Sequence, residues 1–310
     1  MYHRFNENKY PSTNIRNEIF LEHLKEIKKS KIEFLNFNNF ENIIKNNIEK
    51  NYILLTIDDA FESFYVNAWP LLKNEKIPFI LFVSTREIGK HGYMTWEQIK
   101  EIQSNSLATI GNHSHSHEYL IDWDKDKIKN DLKMSIKIFN KHLGFSPKIF
   151  SYPFGEYSSD LKKIVSDLNF QFAFGQHSGV IDPTKDFLEL PRFPINEKYG
   201  NLERFKSILQ TLPFPYENIV PENRYLKNNQ NPPEVKIKFF ENLINIENIN
   251  CYSNEGNVWK KSNIEFVNSN EIKILIKEKF KSERGRINCS LQSENGKWRW
   301  LGIQYVIAEY

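Results

Sequence analysis

Apolar positions along the first 210 residues alternate between two periods. Around residues 19–30 they fall at 20, 21, 24 and 27, a helical spacing. Residues 32–37 make a short strand-like run, and residues 38–48 read as a second helix. Residues 52–57 are a continuous apolar run ending in two acids, as expected of a strand covered on both faces. The pairing then repeats: helix 65–76 and buried strand 78–84, helix 95–103 and strand 107–110, helix 124–143 and strand 149–152, helix 159–168 and strand 170–174. A last strand-like segment covers 188–193. Thr95, followed three residues on by Gln98, is a capping box that marks one helix start.

Strands alternating with helices of this length predict an α/β fold with a parallel sheet or barrel. Chemistry in such folds collects at the C-terminal ends of the strands. Asp58, Asp59, His113, His117, Phe154 and Gly155 all fall there. The pattern changes after Leu209. Residues 211–233 carry Pro213, Pro215, Pro221, Pro232 and Pro233 among polar neighbours and read as a linker or wrapping segment. From Val235 onward, short runs alternate apolar and polar, at 264–267, 272–276, 287–291 and 298–306, the pattern of a small antiparallel β-sandwich. The expected organisation is therefore a β/α domain over 1–212, a Pro-rich linker over 213–234 and a sandwich over 235–310.

Composition narrows the function classes. The 310 residues are 40% hydrophobic and 26% charged, an ordinary globular mixture. The formal net charge is only +3, with basic residues spread along the chain, so there is no electrostatic footprint for nucleic acid. No apolar run approaches the length of about 18 residues that a membrane span needs. The start, Met1-Tyr2-His3-Arg4-Phe5, has no apolar h-region or cleavage site, so no export is predicted for the chain as written. Two cysteines, Cys251 and Cys289, leave two readings open: buried small apolar residues, or one disulfide stapling a small domain in an oxidising compartment.

The candidate chemistry lies in two strand-end segments. Ile53-Leu54-Leu55-Thr56-Ile57-Asp58-Asp59 ends in adjacent carboxylates, and Gly111-Asn112-His113-Ser114-His115-Ser116-His117 carries histidines at H-x-x-x-H spacing. Either alone is a weak signal, since both patterns occur on solvated loops. Together, in a fold whose strand ends converge, they supply one carboxylate and two imidazoles, the ligand set of an open catalytic metal site. A spare carboxylate stands next door, where a general base is wanted. This combination points to hydrolysis.

Three ordered motifs carry a resemblance: Thr56-Ile57-Asp58-Asp59, His113-Ser114-His115-Ser116-His117 and Tyr152-Pro153-Phe154-Gly155. Over residues 1–210 the chain resembles the polysaccharide deacetylase family, carbohydrate esterase family 4. That resemblance implies a distorted (β/α) barrel and a divalent metal held by Asp59, His113 and His117. Zinc best suits these ligands, and other first-row divalent ions suit them too. It further implies Asp58 as general base and the backbone N–H of Phe154 as an oxyanion donor. His115 is not implied as a ligand, although spacing alone does not exclude it. A branch resembling the poly-N-acetylglucosamine deacetylases carries its general acid in an N-terminal Tyr-His, which here is Tyr2-His3. His3 is thus the candidate acid and His177 its competitor. Arg192, in Leu190-Pro191-Arg192-Phe193-Pro194, resembles the family segment whose Arg pairs with the base.

Two departures stand out. Ala60 replaces the glycine that usually follows the two acids, and Ala is comfortable only at negative φ. Ser151-Tyr152 stands where many members have Arg-Pro, which shifts weight onto Arg192. Trp259, Trp298, Trp300 and Tyr305 in the last module are either core or a surface for stacking sugar rings. The expected activity is removal of N-acetyl groups from an amino-sugar glycan, the acetylated glycan being the partner. The alternatives are O-acetyl ester hydrolysis at the same site and an inactive glycan-binding protein. The family works mostly outside the cytoplasm, so the compartment stays open.

Overall fold

The computed structural model describes residues 1–46, 50–240 and 243–308. Its centre is a parallel sheet of β1 (Leu55–Ile57), β2 (Phe79–Val83), β3 (Ala108–Asn112), β4 (Ile149–Ser151) and β5 (Phe172–Phe174), paired in chain order. The strands are buried on both faces, apart from half-buried Ala108 and Thr109 at the start of β3, which is why β2 reads as an unbroken apolar run with every residue at 1% exposure or less. Helices Asn17–Lys29, Trp96–Gln103, Lys125–Leu143 and Ser159–Asp167 cover the outside. Their ends are set locally. Thr95 Oγ1 accepts from Gln98 N while Gln98 Oε1 accepts from Thr95 N. Asp124 caps Lys127 N, and Gly144 closes the same helix at φ 77°.

Two sequence-distant segments curl the sheet toward closure. Tyr2 bridges Ile57 in parallel, with Tyr2 N donating to Thr56 O and Asp58 N to Tyr2 O. At the other edge, Leu190 bridges Phe174. The chain then runs back across the seam, where Ile195 N donates to Met1 O at 3.0 Å. The architecture is a distorted (β/α) barrel, as the family resemblance implies and in keeping with the parallel sheet or barrel expected from the strand–helix alternation.

The last third of the chain is a small β-sandwich. One sheet pairs Tyr216–Val220, Val235–Phe239, Glu271–Leu275 and Asn263–Asn268. The other is built on Arg284–Gln292 and Trp298–Ile307, flanked by Asn250–Ser253. Val235, Ile237 and Phe239 face Cys251, Ile287, Cys289, Ile303 and Tyr305 across its core. Cys251 and Cys289 lie directly opposite on paired strands and form a disulfide.

Several elements differ from expectation. Residues 65–76 begin as a wide turn at Phe64–Ala68 and become α-helical only at Trp69–Asn74. Segment 188–193 makes one bridge rather than a strand. The second helix runs Phe40–Lys45, and residues 47 and 48 of the predicted helix lie outside the described residues, as do 241–242 and 309–310 of the last module. The stretch read as a linker is knitted into the sandwich: Leu212–Pro213 and Tyr225–Leu226 pair with Trp298–Ile307, and Tyr216–Val220 pairs with Val235–Phe239. Its prolines sit at strand ends or between strands, where a missing N–H disturbs no ladder. Among the described residues no helix is long and apolar enough to cross a membrane.

Candidate active site

Asp58 and Asp59 follow β1 directly and turn sharply out of the sheet. Asp59 and Ala60 both adopt left-handed backbone, at φ 74° and 56°. The turn sends the two neighbouring carboxylates to different partners. Asp58 is fully buried and gripped bidentately by Arg192, with Nη1–Oδ1 at 2.7 Å and Nη2–Oδ2 at 2.9 Å. Ser151 Oγ accepts from Arg192 Nη2 at 2.9 Å and donates to Asp58 Oδ2 at 3.3 Å. Arg192 is itself positioned by Nε donating to Gly175 O and Nη1 donating to Thr56 Oγ1. Burial alone would raise the Asp58 carboxyl; the Arg192 guanidinium, together with nearby His113 and His3, outweighs it and holds the group below the ordinary carboxylate range.

Asp59 faces the histidines that follow β3. Its Oδ1 lies 3.4 Å from His113 Nε2 and 3.1 Å from His117 Nε2. The three ligand atoms are within 4.8 Å of one another. His113 Nδ1 donates to Ser151 O at 2.7 Å, which leaves the Nε2 lone pair aimed at the cluster, the usual outer-shell arrangement of a metal-binding histidine. His113 Nε2 and Asp59 Oδ1 are buried without a hydrogen-bond partner. A divalent cation fits this donor set, because it would satisfy both orphaned atoms at once.

His115, between the two, points elsewhere: its Nδ1 pairs with Thr85 Oγ1 at 2.8 Å. His3 is carried in by the Tyr2–Ile57 bridge. Tyr2 is anchored in turn, its OH donating to His23 Nδ1 while His23 Nε2 donates to Gly200 O. His3 stands within electrostatic reach of Asp59, Asp58, Arg192 and His113, and burial pushes its imidazole below the usual value. His177, the competing candidate, is surrounded instead by Glu189, Arg224 and Arg192, and burial pushes it down to about 4. Phe154 follows β4 at φ 58°, its ring 4.8 Å from the His117 ring and stacked on Tyr119 at 4.1 Å.

Residues 45–173 match the family model described as Polysaccharide deacetylase. That stretch is similar to the polysaccharide deacetylases. The chain is 25% identical over 166 residues to the poly-beta-1,6-N-acetyl-D-glucosamine N-deacetylase of Staphylococcus aureus strain MRSA252, covering 49% of this chain and 57% of that protein. The Staphylococcus epidermidis protein of the same name is 24% identical over 165 residues with the same coverage. The chain thus spans 57% of the length of the curated relatives it matches. Among solved structures, the Streptococcus pyogenes deacetylase PplD superposes with a TM-score of 0.61 at 22% identity, covering 67% of this chain and 96% of that one. IcaB from Ammonifex degensii gives 0.60 at 24% identity, covering 68% and 95%. These two likenesses concern the fold.

Both departures from the deacetylase motifs have a visible structural consequence. Ala60 does take a left-handed φ, so the loop keeps its turn, with a Cβ strain of about 1–2 kcal/mol. Ser151 lacks a cation but bridges Asp58 to Arg192, which arrives from the far side of the sheet. Sequence reasoning missed the residues that hold the histidine loop. Asp131 accepts from His115 N and Ser116 N, and Asn112 Oδ1 accepts from Ser114 N and Ser135 Oγ. A signal existed: Asp131 and Ser135 are polar residues on the inward apolar face of helix Lys125–Leu143, beside Ile128, Leu132 and Phe139. The approach of Glu156 and Arg284 to the Phe154 loop had no sequence signal.

Proposed function

We propose that this protein is a divalent-metal-dependent deacetylase that removes N-acetyl groups from the amino sugars of a polysaccharide. The names of the staphylococcal relatives make poly-β-1,6-N-acetylglucosamine the first substrate to test. One observation carries the reading: an arginine-clamped, buried Asp58 lies beside an Asp59–His113–His117 cluster with two orphaned ligand atoms, and His3 stands within electrostatic reach of both aspartates.

Asp59, His113 and His117 would hold the ion, zinc being the best match for one carboxylate and two imidazoles. Bound there, a divalent ion polarises the acyl carbonyl and acidifies water. Asp58, kept ionised by Arg192, accepts a proton from the attacking water. The Phe154 N–H is assigned to the oxyanion that develops on the acyl carbonyl. His3 delivers a proton to the departing amine, which leaves as the free amino sugar. The Cys251–Cys289 bond supports an oxidising working compartment.

The test is acetate release from poly-β-1,6-N-acetylglucosamine and from O-acetylated glycans, before and after chelation and zinc readdition. Release from the amide polymer that chelation abolishes and zinc restores is the expected result. Release from esters alone turns the assignment to an esterase. No release from any substrate with zinc present overturns it.

A further inference from the structure

The loop Tyr152-Pro153-Phe154-Gly155-Glu156 is held in an unfavourable shape. Phe154 has φ 58° and ψ 4°, left-handed backbone that a bulky residue adopts at a strain of about 1–2 kcal/mol. Gly155 follows at φ 72°, and a Cβ there would lie 2.4 Å from Gln176 N. Two residues in sequence are therefore held left-handed where the oxyanion donor is assigned, and something outside the loop has to hold them.

That support comes from the sandwich. Arg284, the first residue of strand Arg284–Gln292, reaches across the boundary and donates Nε to Glu156 Oε1 at 2.6 Å. Its guanidinium carbon stands 5.7 Å over the centre of the Phe154 ring. Glu156 is 3% exposed, and its Oε2 has no hydrogen-bond partner among the described residues. Burial raises its carboxyl to about 7 even with the arginine beside it. A buried carboxylate stripped of its cation is strongly destabilising, so Glu156 can be charged at this position only while the sandwich is docked. The strand bearing Arg284 is itself secured, by full-length pairing with Trp298–Ile307 and by the Cys289 disulfide.

We propose that Arg284 is a positioning residue for the deacetylation reaction: through Glu156 and the Phe154 ring, the sandwich holds the oxyanion loop in its left-handed shape. The barrel's site is thus completed by the second module. This rests on the function proposed above and adds a dependence on a residue outside the matched family region.

The experiment compares full-length wild type with Arg284→Ala, Arg284→Lys, Glu156→Gln and the double variant Glu156→Gln/Arg284→Ala, on poly-β-1,6-N-acetylglucosamine at pH 8. Zinc affinity is measured in parallel by calorimetry. For Arg284→Ala, kcat is expected to fall about 10- to 100-fold, as a displaced oxyanion donor predicts. KM and zinc affinity stay near wild type, because Asp59, His113 and His117 are untouched. Arg284→Lys recovers part of kcat. The double variant carries no unpaired buried charge, so it keeps the inference testable if Arg284→Ala does not fold; its kcat should stay as low as that of the single variant. An active wild type with kcat unchanged in Arg284→Ala or in the double variant overturns this inference and leaves the proposed function standing. A loss of zinc affinity parallel to the loss of kcat also overturns it, since the effect would then be general. A wild type that releases no acetate overturns both.

Discussion

Arg192 is the residue on which the site's electrostatics turn, and Arg192→Ala is the perturbation that measures this. The substitution removes both guanidinium donors from Asp58, which has no solvent exposure, and leaves Gly175 O, Thr56 Oγ1 and Ser151 Oγ without their arginine contacts. Breaking a buried ion pair by deleting one partner costs about 3–5 kcal/mol. Arg192→Lys keeps a positive charge but loses the planar fork, so it should fall between wild type and Ala. The double replacement Asp58→Leu/Arg192→Met deletes both charges and should be more stable than Arg192→Ala, since the penalty lies mainly in the stranded carboxylate. Urea titration followed by tryptophan fluorescence reads all four proteins. Acetate release run alongside should show Arg192→Lys folded but slower by at least about tenfold, because the base is no longer aligned. If Arg192→Ala lies within about 1 kcal/mol of wild type, or the double replacement is the least stable of the set, the assignment of a charge-stranding penalty is wrong.

Three further outcomes follow from the same structure. His3→Ala should cost the amide reaction about 10²- to 10⁴-fold while affecting hydrolysis of an activated acetate ester much less, because an aryloxide leaves without a proton; equal losses on both would remove His3 from the acid role. Glu156, raised from 4.5 to about 7 in the folded state, binds more protons folded than unfolded between those values. Stability should therefore fall as pH rises from about 4.5 to about 7, by up to about 3 kcal/mol, and level off above; Glu156→Gln should flatten that slope, and an unchanged slope in denaturation midpoints would refute the assignment. Reducing the Cys251–Cys289 bond, which closes a separation of 38 residues, should lower sandwich stability by about 3–4 kcal/mol, read as a shift of the urea midpoint with and without reductant.

Much of this protein is written in local pattern. Apolar runs placed most of the parallel strands, above all 52–57 and 78–84, because a strand covered on both faces leaves no polar alternation. The switch to period two after Val235 announced the sandwich, and the inward set Val235, Ile237 and Phe239 follows it residue by residue. The acids after Ile57 and the histidines after Asn112 were legible because strand ends converge in such a fold.

Tertiary structure decided everything that joins distant segments. Only the curling of the sheet brings Arg192 onto Asp58 and His3, 189 positions away in numbering, within electrostatic reach of both aspartates. Which acid meets Arg192 and which meets the histidines depends on two left-handed residues, Asp59 and Ala60, a backbone state that residue type alone disfavours. His115 is removed from the cluster by a single hydrogen bond to Thr85, which spacing could not reveal. The prolines of 213–234 read as a tether, yet strand edges accept residues without an N–H, and the sandwich supplied those edges. Nothing in the sequence singles out Arg284. It became part of the site's surroundings when two modules, each with its own core, met at the rim of the barrel, and pairing a buried carboxylate across that boundary is a matter of docking rather than of sequence.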